Sequence, residues 1–300
     1  MNLTLLILLF PVLIAAQTNP VELGDVHWLR SMDEAQAKSK KEGKPILILF
    51  QEIPGCETCR NYGSDVLTHP LIVEGIETEF IPLAIHNNKG GHDAEVLRRF
   101  NEASWNNPVV HIVDMNIENI VQRLSDNYSV AGLSALMTNA LIKQKGKAPV
   151  YLQLLTDELT AQQKGTASVT YSMYCFWTGE ALFGKLNGVI KTTAGYQSGR
   201  EVVTVEFNPA IVSKTELDKI ADSHKCSIPP NGSFTADTTP KYYLSSSPYK
   251  VVPMTEIQKC RVNSAIGEGQ DPKVFLSDRQ IAFLKSSSRN CVAISLKDCW

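Results

Sequence analysis

Hydrophobic and polar positions along the chain alternate between short apolar runs and amphipathic stretches. Residues 32–42 intersperse Ala35 and Ala37 with Lys and Glu and stop at Gly43 ahead of Pro45, which predicts a helix. Residues 46–50 are a strand-length apolar run that delivers the chain to the turn Pro54-Gly55-Cys56. Beyond Cys59 a helical stretch runs toward His69, residues 80–85 read as a second strand and 93–101 as a second helix, together a β-α-β unit. Asn107-Pro108 opens the apolar run 109–113, and Met115-Asn116 turns the chain into 117–124, which predicts a β-hairpin. A helix over 130–145 closes this region. Gly146-Lys147-Ala148-Pro149 breaks the pattern, 151–163 reads as a connecting helix, and Lys164-Gly165-Thr166 as a hinge before a second region that starts near Ala167. There a strand-like run precedes Tyr174-Cys175, a helix follows with Ala181, Leu182, Leu186 and Val189 on its apolar face, and alternation from Glu201 marks another strand.

Residues 3–16 are almost unbroken apolar sequence ending in Ile14-Ala15-Ala16, the length and small-residue finish of a cleaved export signal and shorter than the ~20 residues a spanning helix needs. Residues 1–16 are therefore expected to be a signal peptide, with the mature chain secreted or extracytoplasmic and no membrane partner afterwards. Three hundred residues at 43% hydrophobic and 20% charged suffice for two cores. A net charge of -2, with both signs mixed along the chain, argues against a nucleic-acid partner. In an oxidising compartment disulfides persist, and seven cysteines leave at least one thiol unpaired or catalytic.

Cys56-Glu57-Thr58-Cys59 sits where a strand meets a helix start. A helix N-terminus stabilises a thiolate at Cys56, and the spacing lets Cys59 close a disulfide with it, so Cys56 is expected to attack and Cys59 to resolve, the alternative being a purely structural Cys56–Cys59 disulfide. No second cysteine pair follows at zinc-site spacing, so no metal is expected. With Trp28, the Lys44-Pro45-Ile46-Leu47 entry and Pro108 before the third strand, residues 25–145 resemble thioredoxin-like proteins. The resemblance implies a cis peptide at Pro108 abutting the dithiol. Ile53-Pro54-Gly55-Cys56 is similar to a subgroup in which Val-Pro-Gly precedes a cysteine or selenocysteine.

Tyr174-Cys175-Phe176-Trp177-Thr178-Gly179 places another cysteine at a helix start, followed by two aromatics able to wall in a methyl-sulfur group. Ala194-Gly195-Tyr196 and Glu201-Val202-Val203 come next, then Asp237-Thr238-Thr239-Pro240-Lys241-Tyr242. This order resembles peptide-methionine sulfoxide reductase A over residues 168–282. The resemblance implies that Cys175 is the nucleophile, that Phe176 and Trp177 form the methyl pocket, that Tyr196 hydrogen-bonds the sulfoxide oxygen and that Glu201 protonates it. Asp237 and Tyr242 keep the spacing of a further substrate-binding segment. Tyr174 and Thr178 stand where that family has glycines, and the stretch between Tyr196 and Glu201 is shorter. Independently of the resemblance, sulfoxide reduction needs a thiolate on sulfur and a proton for the departing oxygen, and leaves a sulfenic acid.

That sulfenic acid needs a second thiol. Cys226, after a helix over 217–224, is the first candidate; Cys299 on the tail is the second, and Cys260 and Cys291 stay open, as does a Cys291–Cys299 bridge. His224 reads as a surface residue.

The expected architecture is α+β: an N-terminal thioredoxin-like α/β domain (17–145), a linker or connecting helix (146–166), and a ferredoxin-like domain similar to the sulfoxide reductase with a C-terminal tail (167–300). The expected activity is that of a peptide-methionine (S)-S-oxide reductase acting on methionine sulfoxide, free or in protein. No cofactor motif is present, so electrons come from an external thiol reductant through Cys56 and Cys59. The alternative is an exported thiol-disulfide oxidoreductase or redox chaperone whose second domain only binds.

Overall fold

The computed structural model describes residues 19–286 and residue 296; the expected signal peptide, Cys291 and Cys299 lie outside them. Ser31 opens helix α1 (Met32–Glu42) by accepting from Glu34 N, and Gly43, at φ 67°, ends it. The all-buried strand β1 (Ile46–Gln51) leads into α2 (Glu57–Asn61), which continues as a π turn over Tyr62–Val66. Then come α3 (Pro70–Glu79), β2 (Ile81–His86), α4 (His92–Arg99) and β3 (Val109–Val113). Strand β1 is central, parallel to β2 and antiparallel to β3. Its side chains alternate between two cores: Leu47 and Leu49 face one, and Ile46, Ile48 and Phe50 the other. The sequence-predicted hairpin arm over 117–124 is no continuous strand. It pairs with β3 through two isolated bridges, Val113–Asn119 and Val110–Leu124, so three steps on one side face five on the other and the excess bulges out.

Helices α5 (Val130–Lys145) and α6 (Val150–Lys164) follow. The connecting helix α6 is packed on two sides: Tyr151, Leu152 and Leu155 complete the first core, while Leu154 and Ala161 bury against Ile190 and Ile257 of the second half.

The second half runs β4 (Ala167–Ser172), α7 (Phe176–Gly184), β5 (Val189–Gln197), β6 (Arg200–Phe207), α8 (Lys214–Ser223), β7 (Phe234–Ala236), α9 (Tyr242–Ser245), α10 (Glu256–Gly267) and α11 (Asp278–Ser286). Its sheet is antiparallel in the order β4-β6-β5-β7. Strands β4 and β5 flank β6 with α7 as the crossover, a split β-α-β arrangement. A complete ferredoxin-like sheet places its fourth strand beside the first; here that edge carries only the Ser172–Ser227 bridge, and β7 pairs with β5 instead. Pro229 and Pro230, just past Ser227, have no N–H to continue a ladder along β4. The tight β5–β6 turn is made by Ser198 at φ 50° and Gly199 at φ 73°, the left-handed pair that suits a two-residue hairpin.

Two glutamates of the first half reach across to helix starts of the second. Glu158 on α6 accepts from Ile257 N at 2.8 Å, and Glu74 on α3 accepts from Ser277 Oγ at 2.6 Å and Arg279 N at 2.8 Å. Among the described residues no helix is long and apolar enough to cross a membrane.

Candidate active sites

The first site lies at the C-terminal end of β1. Cys56 is the residue before α2 and is exposed; Cys59, one turn on, is buried, with the two sulfurs 3.6 Å apart. The backbone N–H of Cys59, and less strongly that of Thr58, hydrogen-bonds the Cys56 sulfur and holds its thiol below the usual range. Burial pushes Cys59 up to about 12, and its thiol donates to Asn107 Oδ1. One thiol is thus activated and outward-facing while the other is protonated and held inside, the division of labour expected for attacking and resolving cysteines. The Asn107–Pro108 peptide is cis. Buried Gln51 donates to Cys59 O at 3.0 Å and to Glu22 O at 2.8 Å, and Glu22 Oε1 accepts from Gly55 N at 2.8 Å. Sequence reading missed Glu22, Gln51 and Asn107, because only the folded loop brings them to the dithiol; Asn107's place before Pro108 was the available signal.

The second site is built on the N-terminus of α7. Cys175 is the residue before the helix and half-buried. Glu201, at the start of β6, pairs in register with Tyr196, and its backbone carbonyl accepts from Met173 N at 3.1 Å. Its side-chain Oε2 accepts from Phe176 N at 2.9 Å, which puts the carboxylate against the first turn of α7, next to Cys175. Phe176 is buried and meets the Tyr196 ring edge-on at 5.2 Å. Trp177 donates from Nε1 to Asp237 Oδ2 at 3.0 Å and stacks on Tyr242 at 4.0 Å and 12°. The sequence-predicted set Cys175, Phe176, Trp177, Tyr196, Glu201, Asp237 and Tyr242 is therefore one contiguous cluster, but one face of Trp177 is covered by Tyr242.

Helix periodicity separates a second side of Cys175. Thr178, Gly179 and Leu182 follow it at three, four and seven residues, and with Cys226, His224 and Tyr243 they line a cavity of about 380 Å³. Phe176 and Trp177 point elsewhere and are not in its lining. Cys226 follows α8, belongs to the same core as Tyr171 and Phe183, and has its thiol pushed up by burial and by Asp222. His224 accompanies it at the cavity, although its ring faces Ile220 O at 2.9 Å. Cys260 lies apart, fully buried, near Ile190 O and Thr192 Oγ1.

Sequence reading also missed the buried pair Glu180–Lys241. Glu180 is fully enclosed on α7 and accepts from Lys241 N at 2.8 Å, Lys241 Nζ at 3.1 Å and Ala194 N at 3.3 Å. This ties the 237–242 segment to α7 and so holds Tyr242 over Trp177. Cys56–Cys59 and Cys175–Cys226 belong to different halves, and among the described residues no hydrogen bond, ion pair or ring contact joins the two sites.

Residues 27–115 match the thioredoxin-like family model. The chain is also similar to peptide methionine sulfoxide reductases: 34% identical over 64 residues to one from Drosophila melanogaster, covering 17% of this chain and 26% of that protein. Reductases named MsrA give 35% over 69 residues for Methanococcus maripaludis strain C5, covering 17% and 44%, and 28% over 94 residues for Vibrio vulnificus, covering 25% and 45%. The chain thus spans less than half the length of these relatives. A solved structure titled DsbH Oxidoreductase aligns with 40% of this chain and 90% of its own at 16% identity and a TM-score of 0.33.

Proposed function

We propose that the second half reduces methionine sulfoxide, or a related sulfoxide, and that Cys56 and Cys59 return the electrons. The observation that carries this reading is the Glu201 carboxylate at 2.9 Å from Phe176 N, beside Cys175. The similarity to sulfoxide reductases and the thioredoxin-like match at 27–115 support it.

The two sides of Cys175 then have different tasks. On one, Phe176, Trp177, Tyr196 and Tyr242 flank the methyl and sulfur of the substrate, and Glu201 supplies the proton. Cys175 attacks the sulfoxide sulfur, the S–O bond breaks, and substrate leaves as the thioether while the oxygen stays on Cys175 as sulfenic acid. On the cavity side, Cys226 attacks that sulfenic acid, releasing water and leaving a Cys175–Cys226 disulfide. Cys56 opens this disulfide by exchange, Cys59 closes on Cys56, and an external thiol reductant reduces the pair. In this reading the apolar stretch at 3–16 serves as an export signal and the reaction runs outside the cytosol; N-terminal sequencing of the exported chain checks it. Turnover of methionine sulfoxide with dithiothreitol should be lost in Cys175→Ser, and equal activity in both proteins ends the proposal.

The stacked Tyr242 at 4.0 Å favours a second reading, because it closes a Trp177 face assigned to substrate. In that reading the second half binds partner chains and the first works alone as a thiol-disulfide oxidoreductase. Insulin-disulfide reduction that survives Cys175→Ser, in a protein with no sulfoxide turnover, selects it.

A further inference from the structure

Sequence spacing offered the Cys56–Cys59 pair no companion cysteines, and on that ground no metal was expected. Folding supplies a different third donor. Glu52 closes β1's exit and is carried back over the dithiol, so that one of its carboxylate oxygens, Cys56 Sγ and Cys59 Sγ all lie within 4.8 Å of one another. Gly55 makes this approach feasible: a Cβ there would stand 2.4 Å from Glu52 O and 2.6 Å from Cys59 Cβ. The Glu22 carboxylate pins the same glycine from inside at 2.8 Å. The Glu52 carboxylate itself has no hydrogen-bond or ion-pair partner among the described residues.

The geometry points to a redox-gated site for a borderline-soft divalent cation such as Zn²⁺, held by Cys56, Cys59 and Glu52 when the pair is reduced. The two sulfurs stand 3.6 Å apart. Tetrahedral zinc with Zn–S bonds of about 2.3 Å needs its sulfurs about 3.8 Å apart, so the dithiol is already spaced for a metal and needs only small adjustment. Two thiolates and one carboxylate are a donor set that zinc accepts, and the exposed side at Cys56 leaves the fourth position to water or to a thiolate from outside. Loading is an exchange of ions without electron transfer: two thiol protons leave to solvent, and the Cys59 proton that Asn107 accepts is one of them. Oxidation withdraws both sulfur donors into one S–S bond of about 2.05 Å, which empties the site. Zinc would therefore compete with disulfide exchange at this pair. The inference is independent of the sulfoxide-reductase reading, since it uses no residue of the second half.

The test uses the full chain carrying Cys175→Ser, Cys226→Ser, Cys291→Ser and Cys299→Ser, reduced and free of oxygen, so that beyond the Cys56–Cys59 pair only the fully buried Cys260 remains. Zn²⁺ is titrated against a chromogenic chelator, and Cd²⁺ is added separately to read the thiolate-to-metal charge-transfer band. One equivalent should bind to the reduced protein and none after oxidation by diamide. Glu52→Gln should weaken zinc by at least about tenfold, the loss typical of removing even an outer-shell partner, with unchanged melting of the metal-free protein. Glu52→Asp, which keeps the carboxylate, guards against a merely structural effect and should bind more tightly than Glu52→Gln. Equal affinity in the wild-type and Glu52→Gln sites, or binding that persists after oxidation, overturns the assignment.

Discussion

Replacing Glu201 by glutamine separates chemistry from architecture at the second site. The carboxylate has two tasks in the proposed reaction: Oε2 accepts the Phe176 N–H at 2.9 Å, and the same group protonates the departing oxygen. Glutamine keeps an oxygen for Phe176 N–H but cannot release a proton. A positioned general acid contributes about 100- to 10,000-fold, so Glu201→Gln should slow sulfoxide reduction by that factor, about 3 to 5 kcal/mol of barrier. Its melting temperature should stay near the parent value. Glu201→Ala removes both tasks: it should be as slow as Glu201→Gln and also lose about 1 kcal/mol of stability, the usual cost of a missing helix-start acceptor. The assay is single turnover: pre-reduced protein, no added reductant, methionine formed against time by chromatography. The contrast between the variants carries the information. If glutamine turns over within about threefold of the parent while alanine is slow and less stable, Glu201 is only a cap and the acid is elsewhere.

Other consequences are checked by separate measurements. Cys226→Ser should leave Cys175 as a sulfenic acid after one turnover, trapped by dimedone and located by mass spectrometry; a normal Cys175 disulfide in that variant would move the resolving role to another cysteine. Burial raises the Glu74 carboxyl, partly offset by the hydrogen bonds from Ser277 and Arg279. The folded chain therefore takes up that proton at higher pH than the unfolded chain, so this group's contribution is greatest in acid and falls as pH rises from the ordinary carboxylate range through the raised one. Glu74→Gln should flatten that part of the stability–pH curve, and an unaltered slope would mean that Glu74 does not set it. Leu152→Ala, on a fully buried α6 side chain, should cost about 2 to 5 kcal/mol by denaturant unfolding; a cost below about 1 kcal/mol would remove α6 from the first core.

Local pattern carried much of this. The apolar run at β1, the Ser31 start and Gly43 stop of α1, and the helix over Val130–Lys145 follow from period, caps and breakers. So does the placing of Cys56 and Cys175 immediately before helices. The nearness of Glu201 to Cys175 is what the resemblance to the sulfoxide reductase implies, and it rests physically on the β5–β6 turn and the Met173–Glu201 backbone bond. What stayed illegible depends on long-range contact. Residues 117–124 have strand composition yet bulge away from β3, and the sheet's fourth edge fails where two prolines withhold their donors. That Tyr242 covers Trp177 depends on the Glu180–Lys241 pair, whose partners are sixty-one residues apart. Glu52 over the dithiol depends on a glycine loop whose path no periodicity describes.

Helix α6 sets how the molecule can be taken apart. A cut before it strips Tyr151, Leu152 and Leu155 from the first core, and a cut after it leaves Leu154 and Ala161 bare while uncovering Ile190 and Ile257. Neither half can be excised without baring an apolar helical stripe, so calorimetry on the intact chain should record one melting transition where two independent modules would give two. A helix that looks like a tether between the two halves is thus a shared structural wall, and the halves should gain or lose their folded state together.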